Sequence, residues 1–203
     1  MKETSSPLTS ITTKYADMLK LLSKLLTCPF YLLGKQQKLK RILLYSRLSE
    51  ISLRKRAKSV GKNIMLRGEN KVTKYTSVGE NCILNGVTVY GAGECILADH
   101  VVIGQNTVIH TQNHDYDTGN KIPFGNGWTY KTVKIDEGVW IASDVIILPG
   151  THIGEGAIIQ AGSVVHGEIP PFAIAGGNPC KAFSQRNKER YLKLKSEGLW
   201  QTW

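Results

Sequence analysis

A six-residue rhythm limits this chain more than any other feature. From Val60 an aliphatic or aromatic residue returns at every sixth position: Val60, Leu66, Val72, Val78, Leu84 and Tyr90. After a one-residue slip the series resumes at Leu97, Ile103 and Ile109, and after a gap it runs again through Ile135, Ile141, Ile147, Ile153, Ile159 and Val165. With 41% of the chain hydrophobic, fifteen such positions without one polar residue are not a chance pattern. A second column falls four residues later, as Val101 and Thr107 in the middle run and as Val139, Val145, Thr151, Ala157 and Ser163 in the last. Gly61, Gly79, Gly104 and Gly154 follow the first column directly, where a corner of positive φ would favour glycine.

Period six does not keep one face of a 3.6-residue helical turn, so a helix is excluded. A single flat strand of this length is implausible, because strands usually run about three to ten residues. What remains is a coil of short strands and corners, three sides to a turn, with the aliphatic residues stacked inward as a dry column.

The rhythm stops between Ile109 and Ile135. The insert holds His114-Asp115-Tyr116-Asp117, then Gly119, Pro123, Gly125 and Gly127, and reads as an irregular loop at about 110–134. Loops on rigid scaffolds commonly carry chemistry. An imidazole there suits general-base work, since its unperturbed pKa near 6.5 leaves it mostly unprotonated at neutral pH. Asp115 or Asp117 is placed to orient the ring, although sequence neighbours often point apart.

The segment GVWIASDVIILPGTHIGEGAIIQAGSVVHGEIPPFAIAGGNPCKAF resembles the C-terminal signature of hexapeptide-repeat acyltransferases, in particular the galactoside, maltose and capsule-sugar O-acetyltransferases. The likeness covers about residues 60–183. It implies a mainly β fold, a left-handed parallel β-helix, with a homotrimer whose active sites lie between subunits. It also implies acetyl-CoA as donor, a sugar or glycan hydroxyl as acceptor, His114 as general base and Asn85 lining the acceptor site. Asn85 has a structural reading too, since asparagine tolerates a tight corner. On the donor side the resemblance implies Trp140 as an apolar wall, the Ser143 backbone N–H on the developing oxyanion, Ala161 on the pantetheine arm, and His166 and Lys181 near the CoA phosphates. Where relatives often carry a Thr-Lys or similar pair, this chain has His166-Gly167, a departure on the phosphate side. A thioester is already activated, so no metal is expected.

Other readings use the same coils. A xenobiotic O-acetyltransferase would share every motif. A zinc hydratase would need three converging imidazoles, for which His100, His110 and His114 are the candidates. A non-catalytic β-helix scaffold would have no use for the histidine loop.

The charge is lopsided. The chain carries +10 overall, and residues 1–58 hold 13 Lys/Arg against Glu3, Asp17 and Glu50, while the rest balances to zero. This basic N-terminal arm reads as two helices, one amphipathic over 15–33 and one over about 36–57. They pack on the body or a neighbouring subunit, or give a peripheral contact with an anionic membrane face. Lys20, Lys24 and Pro29 argue against a span, and no aromatic interleaving suggests nucleic acid. No apolar signal segment opens the chain, and Cys82 and Cys95 sit in apolar periodic sequence as buried thiols, which fits a cytoplasmic protein. The tail at 184–203 predicts a helix over 186–196, with Trp200 and Trp203 docking back on the body.

Overall fold

The computed structural model describes residues 35–201, with side chains from Ser46 onward. The chain divides into two compact units, Met1–Tyr45 and Ser46–Trp203, and the second holds the whole repeat region. The expected helix over 15–33 and Trp203 lie outside the described residues. The helix expected at about 36–57 is α1, Lys35–Arg56. Its last turn carries Arg54, Lys55 and Arg56, the sign that suits a helix C-terminus. Leu53 is buried, and Arg54 donates to the carbonyls of Val60 and Gly61 at 2.7 Å each, which ties the end of the helix to the first coil.

From Ser59 to Gln185 the chain is a β-solenoid. Strands of two to five residues stack into three sheets of six, seven and four strands, and parallel neighbours on a sheet come from successive coils. Ile135 pairs with Leu97 and Ile153 on the first face, Ile141 with Ile103 and Ile159 on the second, and Ile147 with Ile109 and Val165 on the third. All nine are buried, and each side chain of this size contributes about 1.5–3 kcal/mol when fully buried. The second column is buried as well, including Thr107, Thr151 and Ser163, whose hydroxyls donate to the carbonyls of Gly104, Leu148 and Gln160 three residues earlier. A polar atom is tolerated there because the corner itself supplies the acceptor.

Two expectations about the coil need correction. Val89, not Tyr90, fills the column: Val89 is buried and pairs with Ile109, while Tyr90 points outward and is 54% exposed. The spacing thus shortens to five between Leu84 and Val89 and stretches to eight between Val89 and Leu97. Nor do Gly61, Gly79, Gly104 and Gly154 adopt positive φ. The left-handed corners fall two residues later, on Asn63, Asn81, Asn106 and Gly156. The four glycines serve close approach instead, since a Cβ on any of them would stand 2.6 Å or less from the next coil.

The C-terminal helix α2, Lys188–Ser196, matches the expected span. Asn187 caps it by accepting from the Arg190 N–H at 2.8 Å. Tyr191 is buried, Lys195 reaches Glu137 and Glu155, and the Trp200 ring lies flat on His100 with centroids 3.9 Å apart.

Candidate active site

The insert that interrupts the rhythm is more regular than a loop. Gln112–His114 and Trp128–Tyr130 form a short antiparallel ladder, with His114 directly opposite Trp128. The tip between them is held by backbone bonds, from the Asp115 N–H to the Gly127 carbonyl at 3.1 Å and from the Gly125 N–H to the Asp115 carbonyl at 2.8 Å. The tip returns Phe124 to the imidazole. The His114 ring stands 3.7 Å from the Phe124 centroid at 16° and 3.9 Å from the Trp128 centroid at 31°. Neither ring nitrogen of His114 has a hydrogen-bond partner among the described residues.

Among the described residues neither Asp115 nor Asp117, the two candidates to orient the ring, bonds His114. Asp115 accepts from the Thr118 hydroxyl at 2.7 Å and the Thr118 N–H at 3.0 Å, so its carboxylate is used in the turn. The Thr118 hydroxyl, followed by the Thr118 amide, holds that exposed carboxyl below its usual range. Sequence reasoning misses Phe124 and Trp128. The insert carries four aromatics, Tyr116, Phe124, Trp128 and Tyr130, and nothing in the sequence singles out the two that meet the imidazole.

Asn85 closes the strand Ile83–Asn85, and it is Gly86, not Asn85, that takes the positive φ. The Asn85 amide donates to the Ile103 carbonyl at 2.9 Å, while its Oδ1 is buried with no partner among the described residues. A buried acceptor left open is costly, and a hydroxyl or amide from a ligand would satisfy it.

Trp140 stands outward on the second face, half exposed, between Val102 and Ile158 of the neighbouring coils. With Arg190, Tyr191, Leu199 and Trp200 it lines a cavity of about 710 Å³. Ser143 and Ala161 fall at the same edge on successive coils, and the Gly162 N–H donates to the Ser143 carbonyl at 3.1 Å. The Ser143 N–H has no partner among the described residues. His166 and Lys181 meet at an open depression of about 490 Å³ with Pro170 and Pro179. No hydrogen bond, ion pair or ring contact within the described chain joins His114 to Ser143, Ala161, His166 or Lys181.

The three histidines of the hydratase alternative do not converge. His100 stacks on Trp200, His110 on Tyr90, and His114 lies between Phe124 and Trp128. Among the described residues no three His, Cys, Asp or Glu side chains are grouped as a metal site. No helix among them is long and apolar enough to cross a membrane.

A coil of six-residue sides with one imidazole on a protruding hairpin defines a class, and comparison with known proteins agrees with it. Residues 132–167 match the family model described as bacterial transferase hexapeptide (six repeats). The putative colanic acid biosynthesis acetyltransferase WcaF of Escherichia coli is 31% identical over 134 residues, 63% of this chain and 69% of that protein. The putative acetyltransferase YJL218W of Saccharomyces cerevisiae is 36% identical over 106 residues, 51% of this chain and 53% of that protein, so this chain spans only about half of that relative. A galactoside acetyltransferase solved in complex with coenzyme A superposes with a TM-score of 0.61 at 26% identity, covering 84% of this chain and 82% of that one. The chain belongs to the hexapeptide-repeat acetyltransferases.

Proposed function

We propose that this chain transfers an acetyl group from acetyl-CoA to a hydroxyl of a sugar or polysaccharide precursor, with His114 as the general base. The observation that carries the reading is the His114 imidazole, held on a projecting hairpin with both nitrogens free of partners among the described residues. The acceptor hydroxyl gives its proton to the imidazole as its oxygen bonds to the thioester carbonyl carbon. The open N–H of Ser143 suits the oxyanion that forms. Collapse of that intermediate breaks the C–S bond, and the imidazolium returns its proton to the departing CoA thiolate. No metal enters this scheme.

Asn85 offers its unpaired Oδ1 to the acceptor. Trp140 walls the donor, Ala161 borders its pantetheine arm, and His166 and Lys181 face its phosphates. Because no hydrogen bond, ion pair or ring contact among the described residues joins His114 to the Ser143 edge, we assign the two halves of the site to adjacent subunits of a homotrimer. The galactoside and colanic acid relatives support a sugar acceptor. Thiol release from acetyl-CoA, measured with a panel of glycans and antibiotics, tests the reading. We expect turnover with a glycan and its loss in His114→Ala. Full transfer by His114→Ala would remove the proposed base.

A further inference from the structure

An aligned base needs something to align it, and the usual device, a carboxylate on the second ring nitrogen, is missing among the described residues. Asp115 is committed to Thr118, and no other side chain among the described residues bonds the His114 ring. Both faces of the imidazole are instead covered, one by Phe124 and the other by Trp128.

The local sequence builds this clamp from two directions. Trp128 arrives through the ladder, where it is the residue directly opposite His114. Phe124 arrives through the tip, where two backbone segments cross without room for a side chain. A Cβ on Gly119 would stand 2.5 Å from the Gly125 nitrogen, and one on Gly125 would stand 2.7 Å from the Gly119 Cα. That crossing, with the paired bonds between Asp115 and residues 125 and 127, delivers the residue before Gly125 onto the open face of the ring.

Burial alone is a weak reason for these aromatics. Phe124 remains 41% exposed and Trp128 45% exposed, so much of their apolar surface stays in water. What they do cover is the imidazole. A ring between two π faces loses its freedom about χ2, while its nitrogens stay open at the rim, in the plane where a hydroxyl proton must be taken.

The geometry points to Phe124 and Trp128 as positioning residues that fix the plane of the His114 imidazole by a two-sided aromatic clamp. This rests on the proposed role of His114 as base. Neither ring touches a reacting atom in this assignment. They act through the histidine, so their loss lowers kcat and leaves KM for acetyl-CoA unchanged.

The test joins a spectroscopic readout to a kinetic one on the full chain. Ring-labelled histidine is followed by NMR, with His114→Gln identifying the resonance. Two stacked rings place the His114 ring protons well upfield of those of the exposed His166. Phe124→Leu and Trp128→Leu, which keep an apolar side chain, return the resonance toward the exposed position and lower kcat about 10–100-fold, the scale expected when a reacting group is misaligned. Trp128→Phe, which keeps a ring, retains the upfield shift and most of kcat. A wild-type His114 resonance at the exposed position would overturn the clamp and leave the base assignment standing. A shift lost with kcat unchanged would overturn the positioning role. An intact shift beside full activity of His114→Ala would strike the base assignment, and the positioning role with it.

Discussion

Gly104 lies so close to the next coil that a Cβ built on it would stand 2.6 Å from the carbonyl carbon of Ala142. The neighbour is backbone within a stacked ladder, so it cannot swing aside. Gly104→Ala is therefore expected to destabilise the chain by about 1–3 kcal/mol, the usual cost of overpacking. Gly198, just past α2, gives the contrast: its φ is +67° and nothing lies within 4 Å of its would-be Cβ. Gly198→Ala should cost about 1–2 kcal/mol from the left-handed backbone alone. Urea unfolding of both variants, with a loss at Gly104 no larger than that at Gly198, would show that the coils can spread.

The outer surface of the first face carries a charge ladder whose pH response can be signed. Lys134, His152 and Glu168 are successive partners across three strands, and Asp136 lies two residues after Lys134. His152 bonds Asp136 at 2.8 Å through Nε2 and Glu168 at 2.9 Å through Nδ1, and Lys134 reaches Asp136 at 2.9 Å. Partial burial alone would raise the Asp136 carboxyl, but the bonds from His152 and Lys134 outweigh it and hold it below its ordinary value. A depressed folded pKa contributes stability that is complete above the unfolded value, about 3.9, and is lost as pH falls through the folded one. Melting curves should thus show Asp136→Asn less stable than wild type near neutrality, with the gap closing as the pH falls through the depressed Asp136 value. A constant gap across that range would remove Asp136 from the acid response.

Much of the fold is legible because its signal is local and periodic. Ile135 to Val165 reads correctly position by position, since each inward side chain is fixed by its place in a six-residue side. The misreadings come from contacts that period does not encode. Gly104 and Ala142 are far apart in sequence, so only the stacked coil reveals why a side chain is forbidden there. The Val89–Tyr90 register misleads because a slip can fall on either side of an ambiguous pair of apolar residues. At the site, His114 and its place on the insert follow from the interrupted rhythm. The clamp does not, because Phe124 reaches the imidazole through a crossing of Gly119 and Gly125 that has no local signature.

Two of the three solenoid cysteines, Cys82 and Cys95, should behave as core rather than as reagents. Cys82 and Cys95 are fully buried, and burial pushes their thiols up to about 11 and about 12. The thiolate is the reactive form, so neither should modify in the folded chain near pH 8. Titration with a disulfide reagent should find both only after denaturation. Reaction of either in the native state would mean that the column opens.

The C-terminal tail gives a test of rings against charges. The Trp200 ring is stacked on His100 at 7° and meets Tyr191 edge-on at 6.1 Å. Lys195 bridges Glu137 at 2.6 Å and Glu155 at 2.5 Å, and its hydrogen bonds to those carboxylates raise its pKa. A raised folded value makes that bridge complete at neutral pH and lost only when strongly alkaline solution titrates the amine. All three groups are about a third exposed, however, and ion pairs with such access to water contribute about 0–1 kcal/mol. Trp200 covers apolar surface on two rings, so Trp200→Ala should cost more, about 1–3 kcal/mol. Limited proteolysis at Arg190 and Lys193 should therefore accelerate strongly in Trp200→Ala and only slightly in Lys195→Gln. The reverse order would make the ion bridge, rather than the stacked ring, the fastener of α2.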